Sequence, residues 1–195
     1  VKVAELHRIL QNLLRERVSI RDLETIVETL ADWAPKTRDL DVLTEYVRNA
    51  LRRGISQQYA VAEPAPEIAP GSAVPQGRLK ITCVTLDPNL EDLINSYIDR
   101  SAAGTSVTMA PQVAGQVSAL ISGALRQLQA AGHHPVVLTQ PPVRAIVRQL
   151  IESSVPTAAV LGYNEVASGV EVESIAMVGP PEAPRQGAAA HATAA

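Results

Sequence analysis

The residues that could do chemistry are few, and their spacing is poor for it. His133 and His134 are adjacent. On an extended segment neighbouring side chains point to opposite sides, and no Cys or acidic residue flanks the pair at ligand spacing. They read as a loop leading into a strand rather than a metal centre. Cys83 stands between Thr82 and Val84 in "LKITCVTL", where a cysteine usually acts as a small buried hydrophobe. It is the only cysteine, which excludes an internal disulfide and a multi-cysteine metal site. No G-x-S-x-G elbow occurs, and no Gly-rich loop with Lys could cradle a phosphate. Asp87, Glu91 and Asp92 sit close together in "TLDPNLED", but carboxylates in the first turn of a helix ordinarily serve as cap and dipole partners. No catalytic residue, cofactor or metal is expected.

The densest charge lies in "LLRERVSIRDLETIVETLADWAPKTRD", residues 13–39. Arg21 falls near the start of a second helix, where the recognition helix of a helix-turn-helix would touch bases. The balance of charge argues against that reading. Residues 1–59 hold ten basic and nine acidic side chains, and Asp22, Glu24, Glu28 and Asp32 on the second helix would repel phosphate. The whole chain has a net charge of −3 and a pI near 5.8, so it has no general pull toward nucleic acid or anionic lipid. Interspersed charges of both signs suit a surface that docks on another protein and fixes its register. They suit a solvated helix face equally well.

The elements that must hold these residues follow from periodicity. Over residues 1–59 three amphipathic helices are expected. Val3, Leu6, Ile9, Leu10, Leu13 and Leu14 face inward on the first. Ile20, Leu23, Ile26, Val27, Leu30 and Ala34 do so on the second. Leu40, Leu43, Val47, Ala50, Leu51 and Ile55 do so on the third, which starts near Asp39. Ser19 with Asp22 makes an S-x-x-D variant of the capping box, and Pro35 stops the second helix. Residues 60–78 include "AVAEPAPEIAPGSAVPQG", with four prolines, and read as a linker. From residue 79 strands and helices alternate: "LKITCVTL", a helix capped by Asp87 with Pro88 first, a loop "SAAGTSVT", a long helix ending at Gly132, "PVVLT", "PPVRAIVRQLIESS" and "TAAVLGY". "VEVESIAMV" is a further strand candidate, with Val170, Val172, Ser174 and Ala176 on one face. The fold expected is α+β, a three-helix subdomain (1–59) followed by a small α/β subdomain (79–178) with a three- to four-stranded, partly parallel sheet. The tail 179–195 is low-complexity and expected to be disordered. No apolar run approaches the ~18–20 residues of a membrane span. The first residue is not Met and falls at a helix start, so a piece of a longer protein is expected.

Three blocks in order carry a resemblance. "LQNLLRERVSIRDLETIVETLADWAPKTRD", with the later "LTEYVRNALRR", resembles the helical third subdomain in the cytoplasmic region of the type III export-gate family, flagellar and injectisome. "ITCVTLDPNLEDLI" resembles that family's strand-then-helix opening of the fourth subdomain. "HPVVLTQPPVRAIVRQLIESSVPTAAVLGYNEV" resembles its strand–helix–strand unit, and the Asn of "GYNEV" leans toward the flagellar branch. The resemblance implies a component of a bacterial inner-membrane transporter whose cytoplasmic part forms a homo-oligomeric ring. That ring docks export chaperones with their substrates and other export-apparatus proteins, and touches the membrane only through an N-terminal part outside this sequence. It implies no hydrolase activity. The family's main chaperone-binding cleft lies on a subdomain that this sequence lacks, so no chaperone-contact residue can be carried over. Arg15, Arg17, Arg21 and Asp22 become candidate ionic contacts between neighbouring subunits, since the planar Arg fork grips carboxylates bidentately. Tyr163, Asn164 and Glu165 either form a movable wall facing the missing subdomains or close a strand by local hydrogen bonds. A stand-alone cytosolic adaptor or regulator sharing the fold is the alternative reading.

Overall fold

Alternation along "LKITCVTL" sets the architecture. The computed structural model describes residues 1–63, 78–101 and 104–181. In it this stretch is strand β2 (Leu79–Leu86). Ile81 and Cys83 point to one side, into a core made with the N-terminal helices. Val84 and Leu86 point to the other, into a core made with the later helices. Residues on β5 (Val136–Thr139) and β6 (Ala159–Gly162) divide the same way, Val136, Leu138, Ala159 and Leu161 against Val137 and Val160. Both faces of the sheet are therefore covered, as the near-continuous apolar runs of β5 and β6 require.

The first layer holds α1 (Val3–Arg15), α2 (Leu23–Trp33), α3 (Leu40–Ala50) and α4 (Arg52–Tyr59). The expected third helix is thus two segments. They meet at Leu51, whose ψ of 5° breaks the axis and lets Ile55 and Ser56 be buried. The second helix begins at Leu23 and its cap is Asp22, which accepts from Thr25 N at 3.1 Å and Thr25 Oγ1 at 2.8 Å. Ser19 is not the cap; its hydroxyl accepts only a long bond from Arg21 N at 3.4 Å. Stripe residues nearest solvent stay outside the core: Val3, Leu14, Leu23, Val27 and Ala50 are exposed.

The opposite layer holds α5 (Pro88–Ser96), α6 (Pro111–Ala130) and α7 (Pro141–Ile151). Asp87 caps α5 with Pro88 first, as expected, and Gly132 takes φ +87° just past α6, the left-handed stop that glycine tolerates. The sheet order is β1–β2–β5–β6, with β7 (Val170–Val178) also on β2. All pairs are parallel except β1 (Val61–Ala62), a short antiparallel strand at the start of the expected linker. The rest of that linker, residues 64–77, and the tail from residue 182 lie outside the described residues. Within the expected loop at 101–108, Ser101 and residues 104–107 are instead strand residues of an antiparallel pair, β3 (Ile98–Ser101) and β4 (Gly104–Val107).

On β7 the expected single face fails for a local reason. Cys83 pairs with Ser174 but Val84 pairs with Ala176, so Ile175 is an extra residue in a bulge. The bulge inverts the alternation. Val170 joins the core of the N-terminal helices and Ala176 the core across the sheet.

Candidate functional site

Two arginines are buried where α3 and α7 meet the ends of the parallel strands. Arg48 follows Val47 on α3 and lies one turn beyond Thr44, on the helix's buried side; it is only 2% exposed. Its Nε donates to Glu165 Oε1 at 2.7 Å and its Nη2 to Glu165 Oε2 at 3.1 Å, while Nη1 reaches Glu16 Oε2 at 3.0 Å. Arg144 on α7 is 1% exposed. It grips Glu45 through Nε (2.7 Å to Oε2) and Nη2, and Glu16 through Nη1 (2.5 Å to Oε2) and Nη2 (3.1 Å to Oε1). Both guanidiniums also donate to the Val160 carbonyl at 3.3 Å. Glu16, at the end of α1, thus bridges the two arginines.

Glu165 closes the cluster from the strand side. It sits in a 3-10 turn (Tyr163–Glu165) after β6, is 1% exposed, and accepts from Gly162 N at 2.8 Å. Ser56 of α4 locks the same turn: its hydroxyl donates to Glu165 O at 2.5 Å and accepts from Ala167 N at 2.8 Å. Burial alone would raise the Glu16 carboxyl, but the charges of Arg144 and Arg48 and the Arg144 hydrogen bond overcome it and hold it below the ordinary value. Burial opposes the charge on Arg144, yet Glu45 and Glu16 hold it well above its usual range. Glu45 and Glu165 each engage both of their oxygens with a guanidinium. The cluster is thus spent on internal contacts. What it can do is hold α1, α3, α4 and α7 in one register on the sheet, because guanidinium forks accept few geometries.

The residues named from sequence fall into two places. Glu165 belongs to this buried cluster. Its neighbours Tyr163 and Asn164 are exposed, and Asn164 Nδ2 donates to Asn49 Oδ1 at 3.3 Å, again toward α3. Arg15, Arg17, Arg21 and Asp22 lie together at the α1–α2 turn and all are exposed. Among the described residues the three arginines form no ion pair. Arg17 is also the one non-glycine residue described with positive φ, at 60°. Arg17 N bonds to Leu14 O and Val18 N to Leu13 O, both at 2.9 Å. That is a Schellman stop, with arginine at the position glycine normally takes. Cys83 is fully buried, and burial pushes its thiol up to about 11. His133 and His134 are exposed in the loop before β5, His134 edge-on to Tyr59 at 5.2 Å. Among the described residues no group of His, Cys, Asp or Glu could hold a metal ion.

Sequence reasoning missed Glu16, Glu45, Arg48 and Arg144 as a unit. A signal was present. Arg48 falls between Val47 and Leu51 on an apolar stripe, and Arg144 between Val143 and Val147; an arginine inside such a stripe needs a buried carboxylate partner. Which carboxylate it takes is a long-range matter that spacing does not carry.

A sheet covered on both faces, stapled to its helices by ion pairs whose members are all engaged, defines an α+β module that uses its charges for structure. Comparison with known proteins places it further. Residues 1–171 match the FHIPEP family, and the chain belongs to that family, the type III export-gate proteins, as the C-terminal region of their cytosolic part. It is 34% identical over 178 residues to the flagellar biosynthesis protein FlhA of Bacillus subtilis (strain 168), covering 91% of this chain and 24% of that protein. The chain thus spans about a quarter of that relative's length. It superposes on the nonameric EscV cytosolic domain from the type III secretion system with a TM-score of 0.60 at 32% identity, over 87% of this chain and 46% of that one. It superposes on a chain of the Chlamydia pneumoniae CdsV and CdsO protein complex with a TM-score of 0.67 at 28% identity, over 91% and 48% of the two chains. Among the described residues no helix is long and apolar enough to cross a membrane.

Proposed function

We propose that this chain is part of the cytosolic ring of a flagellar or type III export gate, and that the α1–α2 turn contributes contacts between neighbouring copies. The ring serves as a docking platform for export chaperones with their substrates and for other export-apparatus proteins, on the cytoplasmic face of the inner membrane. The observation that carries the contact role is the set Arg15, Arg17 and Arg21, exposed together at one turn and without ion pairs among the described residues. Arginine is enriched at protein interfaces, and its planar fork is suited to carboxylates across one. The nonameric state of EscV and the complex of CdsV with CdsO support a module that assembles with copies of itself and with other proteins.

The test is Arg21→Glu in the complete cytoplasmic region, with ring formation followed by native mass spectrometry and electron microscopy. Arg21 makes no ion pair among the described residues, so the monomer is expected to unfold at the wild-type urea midpoint while the ring weakens. Rings that form with unchanged concentration dependence refute the contact role.

A further inference from the structure

A groove of about 440 Å³ runs between α3, the start of α7 and the β3–β4 pair. That volume lies within the ~300–1,000 Å³ typical of ligand sites. Its walls are mainly apolar: Val42 and Tyr46 from α3, Ile98 from β3, and Pro141, Pro142 and Ile146 from α7. Tyr46 is held rigid by stacking on Trp33 with ring centroids 3.7 Å apart. Two polar features stand at opposite ends. At one, Asn49 and Asn164 form an amide pair at 3.3 Å. Asn49 keeps its own side-chain NH2 for a carbonyl. At the other, Asp41 is exposed and forms no ion pair among the described residues, whereas the nearby Glu45 has both oxygens taken by Arg144.

Asp41, Glu45 and Asn49 follow at four-residue spacing on one side of α3. Eight residues of helix rise about 12 Å, the length of roughly four residues of extended chain at ~3.3 Å each. We propose that the groove binds an extended apolar peptide segment, about four residues long, with a basic side chain at its Asp41 end. The apolar walls take the side chains, and the Asn pair offers bonding to main-chain amides on a wall where Pro141 and Pro142 have no N–H to give. Asp41, unpaired among the described residues, selects a cation there. This site is separate from the α1–α2 turn and does not depend on the ring.

The test is binding of the purified chain to an immobilised library of hexapeptides made of Leu, Ile, Val and Pro, with Lys, Glu or Gln at either end. The best binder is then titrated in solution while backbone and side-chain amide resonances are followed. We expect Lys peptides to bind about three- to fivefold tighter than their Glu twins, the scale of one exposed ion pair against repulsion, with shifts at Tyr46, Asn49 and Asn164. Asp41→Lys, on an exposed position, is expected to reverse the preference. Equal binding of the Lys, Glu and Gln series, or shifts confined elsewhere, overturns the proposal. So does concentration-dependent shifting of those amides without peptide, which would make a second copy the occupant. Peptide binding that appears only after removal of residues 182–195 also overturns it, by assigning the groove to the chain's own tail.

Discussion

The buried cluster makes a strong prediction at Glu165. Replacing it with Ala removes the bidentate acceptor of Arg48, at 2.7 and 3.1 Å, and the acceptor of Gly162 N–H at 2.8 Å. Breaking a buried ion pair by deleting one partner costs about 3–5 kcal/mol. Arg48 retains Glu16 at 3.0 Å and the Val160 carbonyl at 3.3 Å, which puts the expectation at the lower end, about 3 kcal/mol. That is a large fraction of the roughly 5–15 kcal/mol that holds a domain folded. With a urea slope of about 2–3 kcal/mol/M, the midpoint falls by roughly 1–1.5 M. Chemical denaturation followed by circular dichroism and by Trp33 fluorescence measures it. The double variant Arg48→Met/Glu165→Leu removes both charges at once, and the cycle is expected to return a coupling of about 2 kcal/mol. Gly162 N–H stays without its acceptor in the double variant, so recovery is incomplete. A midpoint shift below about 0.3 M for Glu165→Ala at unchanged slope, or a coupling near zero, refutes the view that this pair ties α3 to the sheet.

Three further outcomes are expected. Arg17→Gly relieves a left-handed arginine at φ 60° and should raise stability by about 0.5–1 kcal/mol, the relief of backbone strain less the entropy glycine adds to the unfolded chain; a lower urea midpoint would contradict this. The Cys83 thiol, fully buried and raised to about 11, should resist alkylation in the native protein at pH 8 and react fully in denaturant; rapid native labelling would contradict the packing. Glu16 is held below its ordinary 4.5 in the folded state. Its contribution is therefore complete above that value and lost as pH falls through the lower folded one. The stability gap between wild type and Glu16→Gln should be constant from neutral pH down to about 5 and close in more acidic solution. A gap that does not change with pH would refute the linkage.

How much of this was legible in the sequence depends on whether the signal was local. Asp87 as a cap, Pro88 as first helical residue, a helix start near Asp39 and Gly132 as a stop were all readable, because each rule involves neighbours a few residues apart. The order of the helices and the alternating strands was readable for the same reason. Ser19 does not cap because the helix starts three residues later, where Asp22 accepts from the Thr25 N–H and hydroxyl. The bulge at Ile175 was not legible at all. Nothing in "VEVESIAMV" marks it, and it exists only relative to the register of β2.

The candidate site divides along the same line. The exposed arginines of the turn could be named from sequence because a cluster of like side chains is visible there. The buried cluster could not, since its bonded partners lie up to 128 residues apart, the separation of Glu16 and Arg144. The sequence left Glu165 poised between a movable wall and a strand closure. Its geometry favours closure: a carboxylate that is 1% exposed, accepting three N–H groups of its own chain, cannot swing outward without leaving Arg48 buried and short of a partner, a state worth several kcal/mol. Any motion of the Tyr163–Glu165 turn would therefore have to carry α3 with it. The groove between α3 and α7, floored by that same α3 and edged by Asn164, would change shape in the same step.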